Sequence, residues 1–437
     1  MIYQILAIIS LILVTNFPSP AAKVVTAIIL LALSLKLFKQ NHISLKKIGK
    51  VNGLLIFYLL LLSIASFRNS DPKIEMTSIA VINVLYLLFF VFFAALAIYY
   101  ISRETSDTKK FILNFIIIPY FILALVNFLL YFLNINPTVQ VLAEDERGMA
   151  VMFSYLGISV RRVIFPLASG LNEYTSYMGG VFCFTIWYFL TYKKGKFFMI
   201  IAGAAMLFSL LFVDSRAALI YPILFCGLVY LLYKFKINFP LKYLALLVVV
   251  GPLLFGYLLP LIAADSGISS ALSRHSNDIA TGNTRFTIWK IALKQFESFE
   301  PIHIIGWGQT GHFASGASLR WGYLFEGWKN ANMKSPHSTV FSILFDEGYI
   351  GLLVYIALLY QSFKKTTAIW QSKPITAGAC IVFLLYNILA GFSESLGGFY
   401  LINYTYLFTM VVIVINVEYE YIDKRQIIMV TTTYGDE

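Results

Sequence analysis

The chain has 437 residues, 59% of them hydrophobic and only 13% charged, where a soluble domain carries about 25% charged residues. Its formal charge of +11 does not signal nucleic acid, because the lysines and arginines fall in short clusters between long apolar runs, as membrane topology demands. Cys183, Cys226 and Cys380 lie inside apolar runs without CxxC spacing, which argues against a disulfide framework and a thiolate metal site.

A run of roughly 20 apolar residues can cross about 30 Å of hydrocarbon as a helix. In lipid the backbone must satisfy its own hydrogen bonds, so repeated runs of that length mean a helical bundle. The expected fold is an all-α integral membrane protein with about twelve transmembrane helices and one large outer loop subdomain. The predicted spans are 2–16, 22–38, 51–67, 78–101, 111–133, 175–192, 197–213, 217–233, 243–263, 338–360, 375–392 and 398–417. The first span lacks a basic lead and a small-residue cleavage site, and reads as a retained helix. Residues 1–263 thus carry nine spans, with a medium outer loop at about 134–174. Residues 264–337 form the large outer loop, and 338–437 carry the last three spans and a tail.

Orientation follows from the lysines. Lys36 to Lys50, Lys109 and Lys110, Lys193 to Lys196, Lys234 to Lys242, Lys364 to Lys373, and Lys424 with Arg425 all fall on one side of these spans. The positive-inside rule makes that side cytoplasmic, together with both termini. The two long loops then face outward. The second contains Trp289, Trp307, Trp321, Trp328 and Tyr323, an aromatic content that argues for order and for contact with lipid or sugar.

Three outer segments carry candidate chemistry. Arg216 follows Asp214-Ser215 between two apolar helices, and an arginine near membrane depth costs up to about 3 kcal/mol. The bland reading is a snorkelling interfacial anchor. The sharper one is an anion site, because the following helix points its free N–H groups and positive dipole end outward. Asp214 or Ser215 reads as that helix's cap. Arg285, in Gly282-Asn283-Thr284-Arg285, opens a second helical pattern that runs through Trp289, Ala292 and Phe296 and stops before Pro301. Asn283 is its candidate cap, and a plain solvated arginine is the competing reading. His337, in Ser335-Pro336-His337-Ser338, stands at the outer mouth of the tenth span. His275, His303 and His312 show no metal-ligand spacing relative to it, so no metal site is expected. Gly306-Trp307-Gly308-Gln309-Thr310-Gly311 matches a nucleotide-type glycine pattern, but outside a strand–helix unit it reads as a turn. Glu394, between the last two spans, reads as an interfacial cap.

Taken in order, these segments resemble the O-antigen ligase and polymerase superfamily of bacterial envelope glycosyltransferases. Asp214-Ser215-Arg216-Ala217-Ala218 looks like its Ser/Thr-Arg-small-small element. Asn283-Thr284-Arg285 with Trp289 looks like its loop arginine segment. Pro301 to Gly308 looks like the glycine stretch that follows. His337-Ser338 with Asp346-Glu347-Gly348-Tyr349-Ile350-Gly351 looks like its His-Asn…Glu-x-Gly-x-x-Gly element, with Ser338 replacing the usual Asn. Arg162 through Asn172-Glu173 resembles a weaker upstream segment.

The resemblance implies a metal-independent and cofactor-free glycosyltransferase of the bacterial inner membrane, working at its periplasmic face. Its partners would be an undecaprenyl-diphosphate-linked glycan donor, a glycan acceptor and the bilayer, with a chain-length regulator as a candidate protein partner. Arg216 and Arg285 would bind the diphosphate, His337 would be the general base, and Arg162, Asn172 and Glu173 would support them. An O-antigen polymerase is the first expectation, and a ligase that transfers the chain to lipid A–core is the second. A lipid-linked oligosaccharide flippase is the rival of another class. It should show mid-membrane charges and internal repeats; the sequence has few of the former and no clear case of the latter.

Overall fold

The computed structural model describes residues 20–41, 43–69, 71, 75–101, 108–136, 149–154, 157–168, 170–192, 195–237, 241–248, 250–252, 254, 284–326, 331–396 and 402–434. The first predicted span, much of 243–263, Asn283 and Trp328 lie outside these residues.

The long helices are α1 (Pro20–Asn41), α2 (Leu45–Phe67), α3 (Met76–Ile101), α4 (Thr108–Phe132, through a π-helical turn at Leu113–Ile117), α5 (Leu171–Thr191), α6 (Lys196–Val213) and α7 (Arg216–Lys234). After these come α8 (Arg285–Lys294), α9 (Thr339–Asp346), α10 (Gly348–Ser372), α11 (Pro374–Ser393) and α12 (Ile402–Tyr434). Among the described residues, seven helices are long and apolar enough to cross a membrane. The protein is therefore an all-helical, multi-pass membrane protein.

Two expected boundaries differ. The span predicted at 338–360 is broken into α9 and α10 at Gly348, which sits at φ +70°. Asp346 and Glu347 stand directly before the break, but longer apolar runs on either side of them carry the hydropathy across it. The last helix runs to Tyr434 rather than stopping near 417, continuing through the charged stretch Glu418 to Arg425 that ends the apolar run.

Packing separates centre from rim. α5, α11 and α12 hold the middle, with Trp187, Tyr174, Tyr177, Tyr386 and Tyr404 almost fully buried. Asn172, Glu173, Thr175 and Ser176 make the first turns of α5 polar, which its central position tolerates. α7 instead turns Ile220, Ile223, Leu224, Leu228 and Leu231 outward, the stripe expected of a lipid-facing helix.

The bundle has two chemically distinct ends. At one end Lys373 pairs with the buried Glu418 carboxylate, which also accepts from Thr108. Nearby, Lys365 donates to Asn416 at 2.7 Å, and Asn416 donates to Asn52 at 3.1 Å. This lysine end corresponds to the side read as cytoplasmic. The loops occupy the other end. There the segment from Val163 to Ala168 is buried although it is not helical. Phe165 rests on Phe128, Tyr131 and Tyr174. The Val163 amide donates to Phe212 and the Leu167 amide to the Asn127 side chain at 2.8 Å. Non-helical backbone is tolerated among membrane helices only when protein satisfies it in this way.

Candidate active site

The large loop is clamped onto the bundle by glycines. Gly306 has φ +72°, and a Cβ there would come within 2.6 Å of the Asp346 carbonyl and the Gly348 nitrogen. A Cβ on Gly348 would come within 2.6 Å of the His303 carbonyl oxygen. The two positions therefore interlock backbone to backbone. The Trp307 amide donates to Phe345 at 2.7 Å, the Gly308 amide to Asp346 at 3.0 Å, and the Gly311 amide to the Asp346 carboxylate at 2.8 Å. Arg68, at the end of α2, donates to the carbonyls of Ile305 and Gly306 at 3.2 and 2.6 Å. The glycine pattern is a turn, as expected, and its task is docking.

The loop aromatics form a small core. Trp289 is buried against Phe341 and Trp321 against Phe345, while Phe299 and Tyr323 are largely exposed. Their ring nitrogens hold the segment before His337: Trp289 donates to Pro336 at 3.0 Å and Trp321 to Lys334 at 3.1 Å. His337 itself adopts φ +48°, an uncommon conformation for a side-chain-bearing residue that surrounding contacts must over-determine. The tryptophans meet that need and are supports, not a sugar platform.

His312 belongs to this core. Burial pushes its pKa down to about 4, despite its contact with the Met333 carbonyl. A depressed histidine favours the neutral folded state, so its stabilisation is complete above pH 6.5 and is lost as pH falls toward 4. The whole effect is about 3 kcal/mol. Protease sensitivity of the loop should therefore rise between pH 6.5 and 4, and more weakly in His312→Phe. Equal pH slopes in the two proteins would contradict this.

The site lies where α5, α7 and α11 meet the loop. These helices pack pairwise, and a Cβ on Gly179 of α5 would reach the Ala218 carbonyl of α7 at 3.0 Å. The Tyr386 hydroxyl of α11 donates to Ser176 of α5 at 2.9 Å. The helix starts bearing Asn172 and Arg216 and the helix end bearing Glu394 are thereby brought to one place. Arg285 Nη2 donates to Glu394 Oε1 at 2.7 Å, and Asn172 Nδ2 donates to Glu394 Oε2 at 3.0 Å. His337 Nδ1 stands 3.8 Å from the same Oε2. Thr339, which receives the Leu396 amide, donates to the Glu394 carbonyl at 2.9 Å and keeps the His337 and Glu394 segments in register. Burial pushes the Glu394 carboxyl up, but Arg285, then His337 and Asn172, more than offset it. Glu394 stays below the usual carboxylate range and is charged at neutral pH.

Arg216 is the first residue of α7, with Ser215 at the cap position but making no side-chain cap bond. Asp214 ends α6 in a left-handed conformation, φ +58°. Arg162 donates through Nε to the Val213 carbonyl at 2.9 Å, which puts it beside the same α6–α7 turn. Tyr221 of α7 lies within electrostatic reach of both Arg285 and Glu394, so the Arg216 helix borders the cluster. Glu173 is buried within electrostatic reach of Tyr120 and Tyr177. Thr284 occupies the cap position of α8, at φ +70°, without a side-chain cap bond.

Glu394 does cap the end of α11, its amide donating to Ala390 at 3.0 Å. It is also the hub of the cluster, a role the sequence reading missed. Its one signal in the sequence is its place, an acid directly at the outer end of an apolar helix.

Residues 201–356 match the O-antigen ligase family. Over that segment the chain belongs to the O-antigen ligase and polymerase superfamily. The matched segment contains Arg216, Arg285, His337 and both halves of the glycine clamp, whereas Arg162, Asn172, Glu173 and Glu394 lie outside it. No curated protein matches the chain. Among the described residues, no group of three His, Cys, Asp or Glu side chains is placed to hold a metal ion.

Proposed function

We propose that the protein transfers a glycan from undecaprenyl diphosphate to an acceptor sugar hydroxyl at the periplasmic face of the inner membrane, lengthening a polysaccharide. Both termini would then be cytoplasmic. The observation that carries this reading is the joining of Arg285, Glu394 and His337 at the end of the bundle opposite the lysines.

The acceptor oxygen attacks the anomeric carbon of the donor. The bond from that carbon to the phosphate oxygen breaks, and the diphosphate leaves with the electron pair. Such a leaving group is weakly basic and needs charge stabilisation more than a proton. Arg216 and Arg285, each opening a helix, supply it through charge-assisted hydrogen bonds worth about 1.5–3 kcal/mol each. His337 takes the acceptor's proton, a task that contributes roughly 10²–10⁴-fold. The paired catalytic carboxylates of a glycosidase are unnecessary.

Transfer of the chain to lipid A–core is the second reading, favoured by the description of the matched family as a ligase. One assay separates these outcomes. The full chain in detergent, given lipid-linked repeat units and no nucleotide, should produce longer chains. Transfer only to added lipid A–core would make it a ligase. No glycan transfer to either acceptor would overturn the reading and leave a flippase. In that assay His337→Ala should lower kcat by at least about 100-fold with donor binding nearly unchanged. A parallel loss of donor affinity would count against its role as base.

A further inference from the structure

Glu394 stands between the two groups to which the proposed reaction gives separate tasks. One oxygen is taken by Arg285 at 2.7 Å, while the other is shared between Asn172 at 3.0 Å and His337 at 3.8 Å. The last distance is within ion-pair range but beyond a hydrogen bond. A guanidinium presents a planar fork that suits two-point capture of an oxyanion. Here only Nη2 of Arg285 is engaged, and its Nε is buried with no hydrogen-bond partner among the described residues. The carboxylate does not take both points, because its second oxygen is turned toward Asn172 and His337. Arg285 is thus neutralised without being saturated.

We propose that Glu394 is a positioning residue that holds Arg285 while the site is empty, gives it up to the donor diphosphate, and passes its own charge to His337. The proposal rests on the glycosyltransferase reading above. A diphosphate carries more negative charge than one carboxylate and several acceptor oxygens, so it can occupy Nε and Nη2 together. Displaced from Nη2, Glu394 stays tethered by Asn172. It needs to move about 1 Å to bring Oε2 within hydrogen-bond distance of His337 Nδ1. A carboxylate on Nδ1 fixes the tautomer in which Nε2 is the free base, and it stabilises the imidazolium formed when that base takes a proton. The base is then fully prepared only when the donor is in place.

The other charged or polar groups near this pair do not substitute for Glu394. His312 lies within electrostatic reach of His337 from the loop but is kept neutral by burial. Tyr221 approaches Arg285 and Glu394 from α7. Phe325 packs its ring 6.4 Å from the His337 ring, and Lys334 Nζ lies 6.0 Å from the centre of that phenyl ring.

The test uses undecaprenyl diphosphate as the probe, titrated into the full-length protein in detergent, together with steady-state turnover on lipid-linked repeat units. Glu394→Gln should bind the diphosphate at least about fivefold more tightly than the wild type, yet turn over at least tenfold more slowly. Glu394→Asp, which keeps the charge, should keep the wild-type affinity. A purely structural role would weaken binding and turnover together. Unchanged or weaker diphosphate binding in Glu394→Gln overturns the exchange. Tighter binding with undiminished turnover overturns the hand-over to His337. Arg285→Ala separates this from the parent reading: if it binds the diphosphate as well as the wild type, the donor site itself is misplaced. If it binds at least tenfold more weakly while Glu394→Gln shows no gain, only the exchange fails.

Discussion

Replacing Arg285 by alanine should lower glycan transfer by at least about 100-fold while the protein still inserts and folds. The magnitude follows from the cost of removing one preorganised donor aimed at developing negative charge, about 2.7–4 kcal/mol. Arg216→Ala should do the same from the other helix start. Lysine at either position should recover less than about tenfold, because a point charge cannot replace a planar fork. Truncation of Arg285 has a second consequence that must be separated from the first. It strips Glu394 of its strongest counter-charge, so part of any loss could come from a disturbed carboxylate. The double variant Arg285→Ala/Glu394→Gln removes that complication. If it regains wild-type transfer, Arg285 serves only to neutralise Glu394, and the proposed diphosphate contact is wrong.

The second large effect is expected far from any reacting atom. Gly348→Ala should destabilise the docked loop by about 3 kcal/mol or more. The left-handed conformation costs a side-chain-bearing residue about 1–2 kcal/mol, and overpacking adds about 1–3. Here the added methyl would strike the backbone of residues 303 to 306, which cannot swing aside as a flexible side chain would. Gly306→Ala should behave alike, since its own Cβ would strike the chain at 346 to 348. The helices should survive, so the readout is faster proteolysis within 284–336 and loss of transfer, with insertion intact. A loop as resistant as wild type in both variants would show that the interlock is not what holds it.

Much of this architecture is legible in the sequence because lipid imposes simple demands. Apolar run length marks helices such as α3, α4 and α11, and a charge next to lipid is costly enough to draw attention to Arg216. Arg285 is marked instead by its place at the start of a helical pattern in the outer loop. The break at Gly348 is easily missed, because glycine is common in membrane helices and the apolar runs around Asp346 and Glu347 read as one interrupted span. Glu394 is hidden for a different reason. Its partners are 222 positions away at Asn172 and 109 away at Arg285, so its importance depends on helices that only the folded chain brings together. The loop tryptophans show a third kind of limit. Their number indicates order, but only the hydrogen bonds to Pro336 and Lys334 reveal that they brace a strained histidine.

The buried stretch from Val163 to Ala168 has a bearing on how the molecule is made. Its Leu167 and Val163 amides find their acceptors on α4 and α6, and an unsatisfied peptide group in hydrocarbon costs several kcal/mol. During biogenesis this stretch has to wait at the water's edge until its flanking helices have gathered. α4, α5 and α6 must therefore mature as one cooperative block, and an early insertion of the stretch into lipid alone would be a dead end.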